Sequence, residues 1–312
     1  MKLNFYQKTA ITTVIATVVL IFVGGLVRAA GAGLGCPDWP QCFGMWIPPT
    51  TVAELPAQYD ASLFNPLHTW LEYINRLVGV LIGFLITLTF AASFKYRKTD
   101  RVITYFSGLA FVMVLFQGWL GGQVVRSGLS AGMITIHMII AMALLATLLY
   151  ATFRSLSDRI TLTLQPKVKK QLLIVSGILL IITLVQMVLG TQVREAVDVA
   201  KNVLELPRSR WIESLDGLYA VHRSFSWALV VLGGYLVYQS RVQLVSKRLN
   251  RLSIIIALLI ISQMIIGVGM ERLGMMGVFQ VLHLVGVAIL ICAELLYLFM
   301  VWFSNKQITN SL

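Results

Sequence analysis

Charge is scarce in this chain. Asp, Glu, Lys and Arg make up 12% of its 312 residues, where a soluble domain carries about 25%. That shortage, beside a hydrophobic fraction of 58%, excludes an ordinary water-soluble globule and points to a bilayer. Cysteine is nearly absent. Of the three, Cys36 and Cys42 lie close together and Cys292 stands alone near the end. No second Cys or His pair sits in the loops to complete a metal site, which weighs against zinc. Proline is sparse too. The eight prolines all fall between apolar stretches or at their ends, so nothing marks the broken mid-membrane helices of many transporters. Acid is scarcer than base, 13 residues against 25, for a net charge of +12.

What remains is apolar sequence in long runs. Eight stretches approach or exceed the ~20 residues that a spanning helix needs. They lie near 9–28, 67–93, 103–125, 131–153, 170–192, 216–239, 251–270 and 277–303. The first is read as a retained helix and not a signal peptide, since no small-residue cleavage motif precedes a soluble segment. The fold class expected is all-α integral membrane, with eight transmembrane helices arranged as two pseudo-symmetric four-helix bundles. The excess base gathers in the loops at 95–101, 154–170 and 241–251 and at the termini, with Lys2, Lys8 and Lys306. The positive-inside rule makes that side cytoplasmic, with both termini on it. A basic face of this kind meets anionic membrane lipid; its distribution argues against nucleic acid as a partner.

The chain repeats itself. Gln117, Arg126 and His137 recur as Gln263, Arg272 and His283 at one constant offset, and Asn75 aligns with His222 one position further. Gly24 and Arg28 recur as Gly190 and Arg194 across a larger gap, the difference being the longer cysteine-bearing loop of the first half. Four spans per half make this a parallel repeat. The expected organisation is residues 1–153 as the first bundle, 154–169 as a cytoplasmic linker and 170–312 as the second bundle. The glycines near helix ends suit close helix packing; they also suit a flat ligand that needs room.

Four histidines, His68, His137, His222 and His283, all fall in the outer half of even-numbered spans. His222 and His283 occupy the second and fourth spans of one bundle at similar depth. Two imidazoles so placed suit the axial positions of a heme iron. In the first half His137 matches His283, but Asn75 stands where His222 would be. His68 lies about two turns before Asn75. It serves as a ligand if the ligand plane shifts outward, or as an interfacial residue bonded to Glu72. Arg28, Arg126, Arg194 and Arg272 end four spans at the outer surface. They read equally as snorkelling anchors and as partners for carboxylates such as heme propionates. Glu72 has no acidic counterpart: Tyr219 aligns with it. An acid inside a span is costly and functional by default. Its structural alternatives are an ion pair with Arg76 or a bond to His68. Two prolines between Cys36 and Cys42 keep that segment from being helical, and the pair reads as a disulfide, a redox-active thiol pair or part of a metal site.

Four motifs carry a resemblance. Cys36-Pro37-Asp38-Trp39-Pro40-Gln41-Cys42, Glu72-Tyr73-Ile74-Asn75-Arg76, Leu189-Gly190-Thr191-Gln192-Val193-Arg194-Glu195-Ala196-Val197-Asp198 and His222-Arg223-Ser224-Phe225-Ser226 resemble the heme A synthase family. The resemblance covers all eight spans. It implies a membrane oxidoreductase that converts the C8 methyl of heme O to a formyl group through successive hydroxylations. It implies a heme b in the second half held by His222 and His283, and heme O in the first half with His137 as iron ligand. Glu72 then matches the family's required acid, and Cys36 with Cys42 its outer cysteine pair. It further implies an electron donor or acceptor and heme O synthase as partner proteins. One departure stands out, since much of the family has Glu-x-x-His-Arg where this chain has Asn75. Two other readings compete. A diheme electron-transfer cytochrome would have symmetric ligand sets and no use for Glu72, and a transporter would show broken helices.

Overall fold

The computed structural model describes residues 2–159, 162–243 and 245–305. Lys306, one of the inner-side cations named above, lies outside the described residues. The long elements are all helices: α1 (Phe5–Ala29), α2 (Pro66–Ser93), α3 (Arg101–Arg126), α4 (Ala131–Leu156), α5 (Pro166–Asn202), α6 (Asp216–Val242), α7 (Lys247–Arg272) and α8 (Gly277–Phe303). Each is long and apolar enough to cross a bilayer, and the chain is a multi-pass membrane protein. In hydrocarbon the backbone must satisfy itself, which a helix does within one segment.

The helix ends follow local chemistry. Asn4 caps α1 in a reciprocal box with Gln7. Asn65 accepts from the His68 N–H, and Pro66 takes the first position of α2, where a missing N–H costs nothing. Asp100 and Ser246 cap α3 and α7. Arg28, Arg126 and Arg272 occupy last turns, where a cation meets the negative end of the helix dipole.

The chain divides into two compact units, Met1–Leu148 and Leu149–Leu312. In the first, α2 packs on α1 and α3. Ile82, Ile86, Ala110, Leu144 and Leu148 form its core. Side-chain hydroxyls tie helices together, as Thr13 to Thr89 at 2.8 Å and Tyr6 to Ser107 at 2.9 Å. Such bonds hold because lipid offers no competing donor. In the second unit, α5 packs on α6 and α8, and α7 on the same two. Leu172, Leu179, Leu236, Ile256, Ile260 and Tyr297 lie at its centre.

One element runs past its expected end. The sequence pattern closes the fifth span near 192, but α5 continues to Asn202. No glycine or proline interrupts the extension, and Arg194 pairs with Asp198 one turn on, at 2.5 Å. Val197 and Ala200 are buried, Val197 against Leu215 and Met275. Tertiary packing extends a helix that apolar content alone would stop.

The loop between α1 and α2 has its own small core of Cys36, Cys42, Phe43 and Phe64, flanked by Tyr59 and Tyr73. Cys36 and Cys42 are joined by a disulfide. The Asp38 carboxylate accepts from the Phe43 and Gly44 amides at 2.6 and 2.8 Å and closes the turn.

Candidate functional site

In the first unit the polar residues of α2 grip the disulfide loop. Glu72 is 3% exposed. Its Oε2 accepts the Cys36 N–H at 2.8 Å, and its Oε1 accepts from the Arg76 guanidinium at 2.6 Å. The same guanidinium donates to the carbonyls of Asp38 and Gln41 at 2.8 and 2.7 Å. Thr69 donates its hydroxyl to the Gly35 carbonyl at 2.8 Å. Gly35 is there by necessity, since a Cβ would stand 2.3 Å from the His68 carbonyl oxygen. Two turns of α2 and seven residues of loop thus form one hydrogen-bonded body. The bond from Glu72 to His68 considered above does not form: the acid's side-chain partner is Arg76. His68 is partly exposed, near the start of α2.

Across the same unit, Gln117 of α3 donates to the His137 carbonyl of α4 at 2.9 Å. A Cβ on Gly121 would lie 3.6 Å from the His137 ring. The neighbouring Gly122 receives the Trp39 indole of the disulfide loop so closely that a Cβ would sit 2.9 Å from it. Asn75 is next to Gly24 of α1, with its Oδ1 3.9 Å from where a Cβ would be. Asn75 Oδ1, Gln117 Oε1 and His137 Nδ1 are buried without a protein partner. Arg28 and Arg126 end α1 and α3.

The second unit builds a related arrangement, with its glutamine–histidine bond between its first two helices and not its last two. Gln186 of α5 donates to the His222 carbonyl at 2.8 Å. Gly190 lets the His222 ring approach, its Cβ position being 3.3 Å from Cε1. His222 of α6 and His283 of α8 face each other with ring centroids 6.5 Å apart and planes at 75°. Among the described residues no other two histidine rings meet in this way. Gln186 Oε1, Gln263 Oε1 and both Nδ1 atoms are buried without partners. Native proteins satisfy nearly all such atoms, and a concentration of exceptions marks a place made for something else.

The charged residues at this end are arranged differently from the first unit. Arg194 pairs with Asp198, and Arg272 is exposed at the end of α7. Arg223, the counterpart of Arg76, reaches Glu271 of α7 at 3.5 Å and lies over the Tyr219 ring. So the second unit does supply an acid to this arginine, from another helix. Sequence alignment of the halves hid it, because Glu271 corresponds to Val125. Glu294 likewise falls outside the four motifs. Its signal was available, as the lone acid in the apolar run of α8.

A profile of the COX15-CtaA family, described as cytochrome oxidase assembly protein, matches residues 7–295. The chain belongs to this family. Among curated relatives, a heme A synthase of Shewanella oneidensis is 32% identical over 153 residues, 47% of this chain and 45% of that protein. A heme A synthase of Alkalihalophilus pseudofirmus is 29% identical over 170 residues, 54% of this chain and 52% of that one. One of Shouchella clausii is 28% identical over 132 residues, 42% and 39%. The chain spans about half the length of the curated relatives it matches. Family membership fits the expectation drawn from the four motifs.

Proposed function

We propose that this chain is a heme A synthase, an oxidoreductase of the cytoplasmic membrane that converts the C8 methyl of heme O to a formyl group through successive hydroxylations. The observation that carries the reading is the difference between the polar sites of the two units. One has two facing imidazoles, His222 and His283. The other has His137, an asparagine and a buried acid held by a disulfide loop.

The second site fits a resident heme b. A metal–imidazole nitrogen bond is about 2 Å, so two rings on one iron have centres roughly 6 Å apart. The observed 6.5 Å is close to that. Gly190 gives the room a flat group requires, and the unpartnered buried atoms around it are polar. His222 and His283 would hold the iron, with Arg194 and Arg272 toward the propionates. Bound there, heme b supplies one-electron transfer.

The first site is proposed to take heme O as substrate. His137 binds its iron, and Asn75, a poor ligand, leaves the opposite side open. His68, about two turns earlier on α2, is the other candidate for that side. Arg28 and Arg126 end helices where propionates would lie, and guanidinium matches carboxylate in two bonds. Glu72 holds or moves a proton beside the methyl group being oxidised, oriented by Arg76 and the Cys36 amide. The loop with Trp39 keeps water from it. Each hydroxylation is a two-electron oxidation of the methyl carbon, and the doubly hydroxylated carbon loses water to give the aldehyde. The inserted oxygen comes either from water, with the electron pair passing to a membrane electron acceptor, or from dioxygen, with a membrane electron donor supplying the pair that reduces the second oxygen atom to water; heme O synthase supplies the substrate. The orientation adopted puts both termini and the basic loops in the cytoplasm and the disulfide loop outside.

The test is pigment extraction after co-expression with a source of heme O. Heme A or its hydroxylated precursor is expected. Two stable b-type hemes and no modified pigment would replace this reading with an electron-transfer cytochrome.

A further inference from the structure

Glu294 is the single acid of α8. It is 1% exposed. Thr183 of α5 donates its hydroxyl to Oε1 at 2.8 Å, and Oε2 is buried with no partner. A carboxyl in the hydrocarbon layer is among the costliest side chains a helix can carry, and one threonine offsets little of that. Packing does not require it: the first-unit counterpart by the repeat offset is Leu148, a core leucine.

From Thr183 polar groups continue along α5 toward the imidazole pair. Gln186 lies one turn on, on the same face. Its amide is bonded to the His222 carbonyl, and its Oε1 is buried and unpartnered. Gln263 of α7, pressed against Gly286 of α8, adds a further unpartnered acceptor. Buried polar acceptors that lack protein partners are where internal water binds. Other titratable groups are few. Between Lys170 and Arg194 on α5, and between Arg251 and Glu271 on α7, there are none. On α6 Tyr235 and Tyr238 are exposed. On α8 Cys292 is a free thiol, and Tyr297 shares a hydrogen bond with Ser240.

We propose that Glu294 is a proton-binding site coupled to the imidazole pair. When the group held by His222 and His283 gains an electron, the Glu294 carboxylate takes up a proton from the inner side, and it releases that proton on reoxidation. The balance is simple. A one-electron reductant converts ferric to ferrous iron, one proton converts carboxylate to carboxylic acid, and no other bond changes. The sign follows from Coulomb's law: positive charge at the imidazoles favours the carboxylate, and its removal favours the acid. His283 and Glu294 are three turns apart, ~16 Å along α8, and salt screens buried charges much less than exposed ones. The inference rests on the reading of His222 and His283 as heme ligands.

The experiment is a dithionite titration of the purified, heme-loaded full chain from about pH 6 to 8, with infrared difference spectra of reduced minus oxidised protein. In the unaltered protein the midpoint potential should fall as pH rises, with a carboxylic acid band appearing on reduction. In Glu294→Gln the slope and the band should vanish while the b-type absorbance stays. Thr183→Val keeps the acid and removes its hydrogen bond, so it should shift the band without abolishing it. An unchanged slope and band in Glu294→Gln overturns the proposal. So does an unmoved band in Thr183→Val if the glutamine variant fails to fold. Absence of b-type absorbance in the unaltered chain overturns the heme reading together with this one.

Discussion

Cys36, joined to Cys42, donates its backbone N–H to Glu72 Oε2 at 2.8 Å. An acid inside a membrane helix is thereby positioned by a loop 36 residues earlier in the chain. Arg76 completes the unit by holding the other carboxylate oxygen and two loop carbonyls. The acid's geometry and the loop's fold depend on each other.

Glu72→Ala removes the acceptor for both the Cys36 amide and Arg76. Breaking a buried ion pair on one side costs about 3–5 kcal/mol locally. Heme A should disappear from extracts, while b-type absorbance from the other unit persists. Hydrogen exchange over residues 35–43 should rise at the same time. Loss of the b-type signal too would mean that Glu72 supports the whole fold and has no separate role.

Removing the disulfide should loosen the same contacts from the other side. A cross-link over a six-residue separation contributes about 2 kcal/mol by the loop-entropy estimate. The Cys36→Ser, Cys42→Ser variant should therefore unfold its loop more readily in hydrogen exchange, and reductant should do the same to the unaltered chain. Protection equal to that of the oxidised protein would place the loop's stability in Asp38 and Arg76 alone.

Much of this was legible in the sequence because membrane helices announce themselves. Eight apolar runs gave eight helices, with ends displaced by a few residues, since hydrocarbon leaves the backbone one solution per span. The exception was α5, whose extension is set by Val197 packing on Leu215 and Met275, contacts that no local pattern encodes. The motif residues also came through, because polar side chains in lipid are few. What stayed hidden was pairing across helices. Nothing in the order of residues says that Glu72 bonds to Cys36, that Arg223 finds Glu271, or that Thr183 meets Glu294. The repeat even misled at Arg223, since the two units draw their acid from different helices.

Gly190 offers a test of the imidazole pair that leaves both histidines in place. A Cβ there would be 3.3 Å from the His222 ring, and the branched carbons of valine would come closer still. Gly190→Val should displace the ring and cut b-type absorbance several-fold at equal protein level. Gly79 on α2 has nothing within 4 Å of its Cβ position, so Gly79→Val should leave that absorbance intact. Equal spectra in the two variants would remove His222 from the ligand set.

The sharpest asymmetry between the halves is a single side chain, and it can be reversed. Gly24 stands beside Asn75 as Gly190 stands beside His222, with 3.9 Å from its Cβ position to Asn75 Oδ1. An imidazole at 75 therefore meets the same kind of glycine that already admits one at 222. Asn75→His should give the first unit a second ligand facing His137. A heme that gains even ~1.4 kcal/mol is retained about tenfold better at equilibrium, so heme copurified with the first unit should rise by that order, with a low-spin signature. The measurement is heme per chain and its extracted type, in a His222→Ala background that silences the other site. If retention does not change, Asn75 does not face the substrate iron, and the open side of that site must be sought elsewhere on α2.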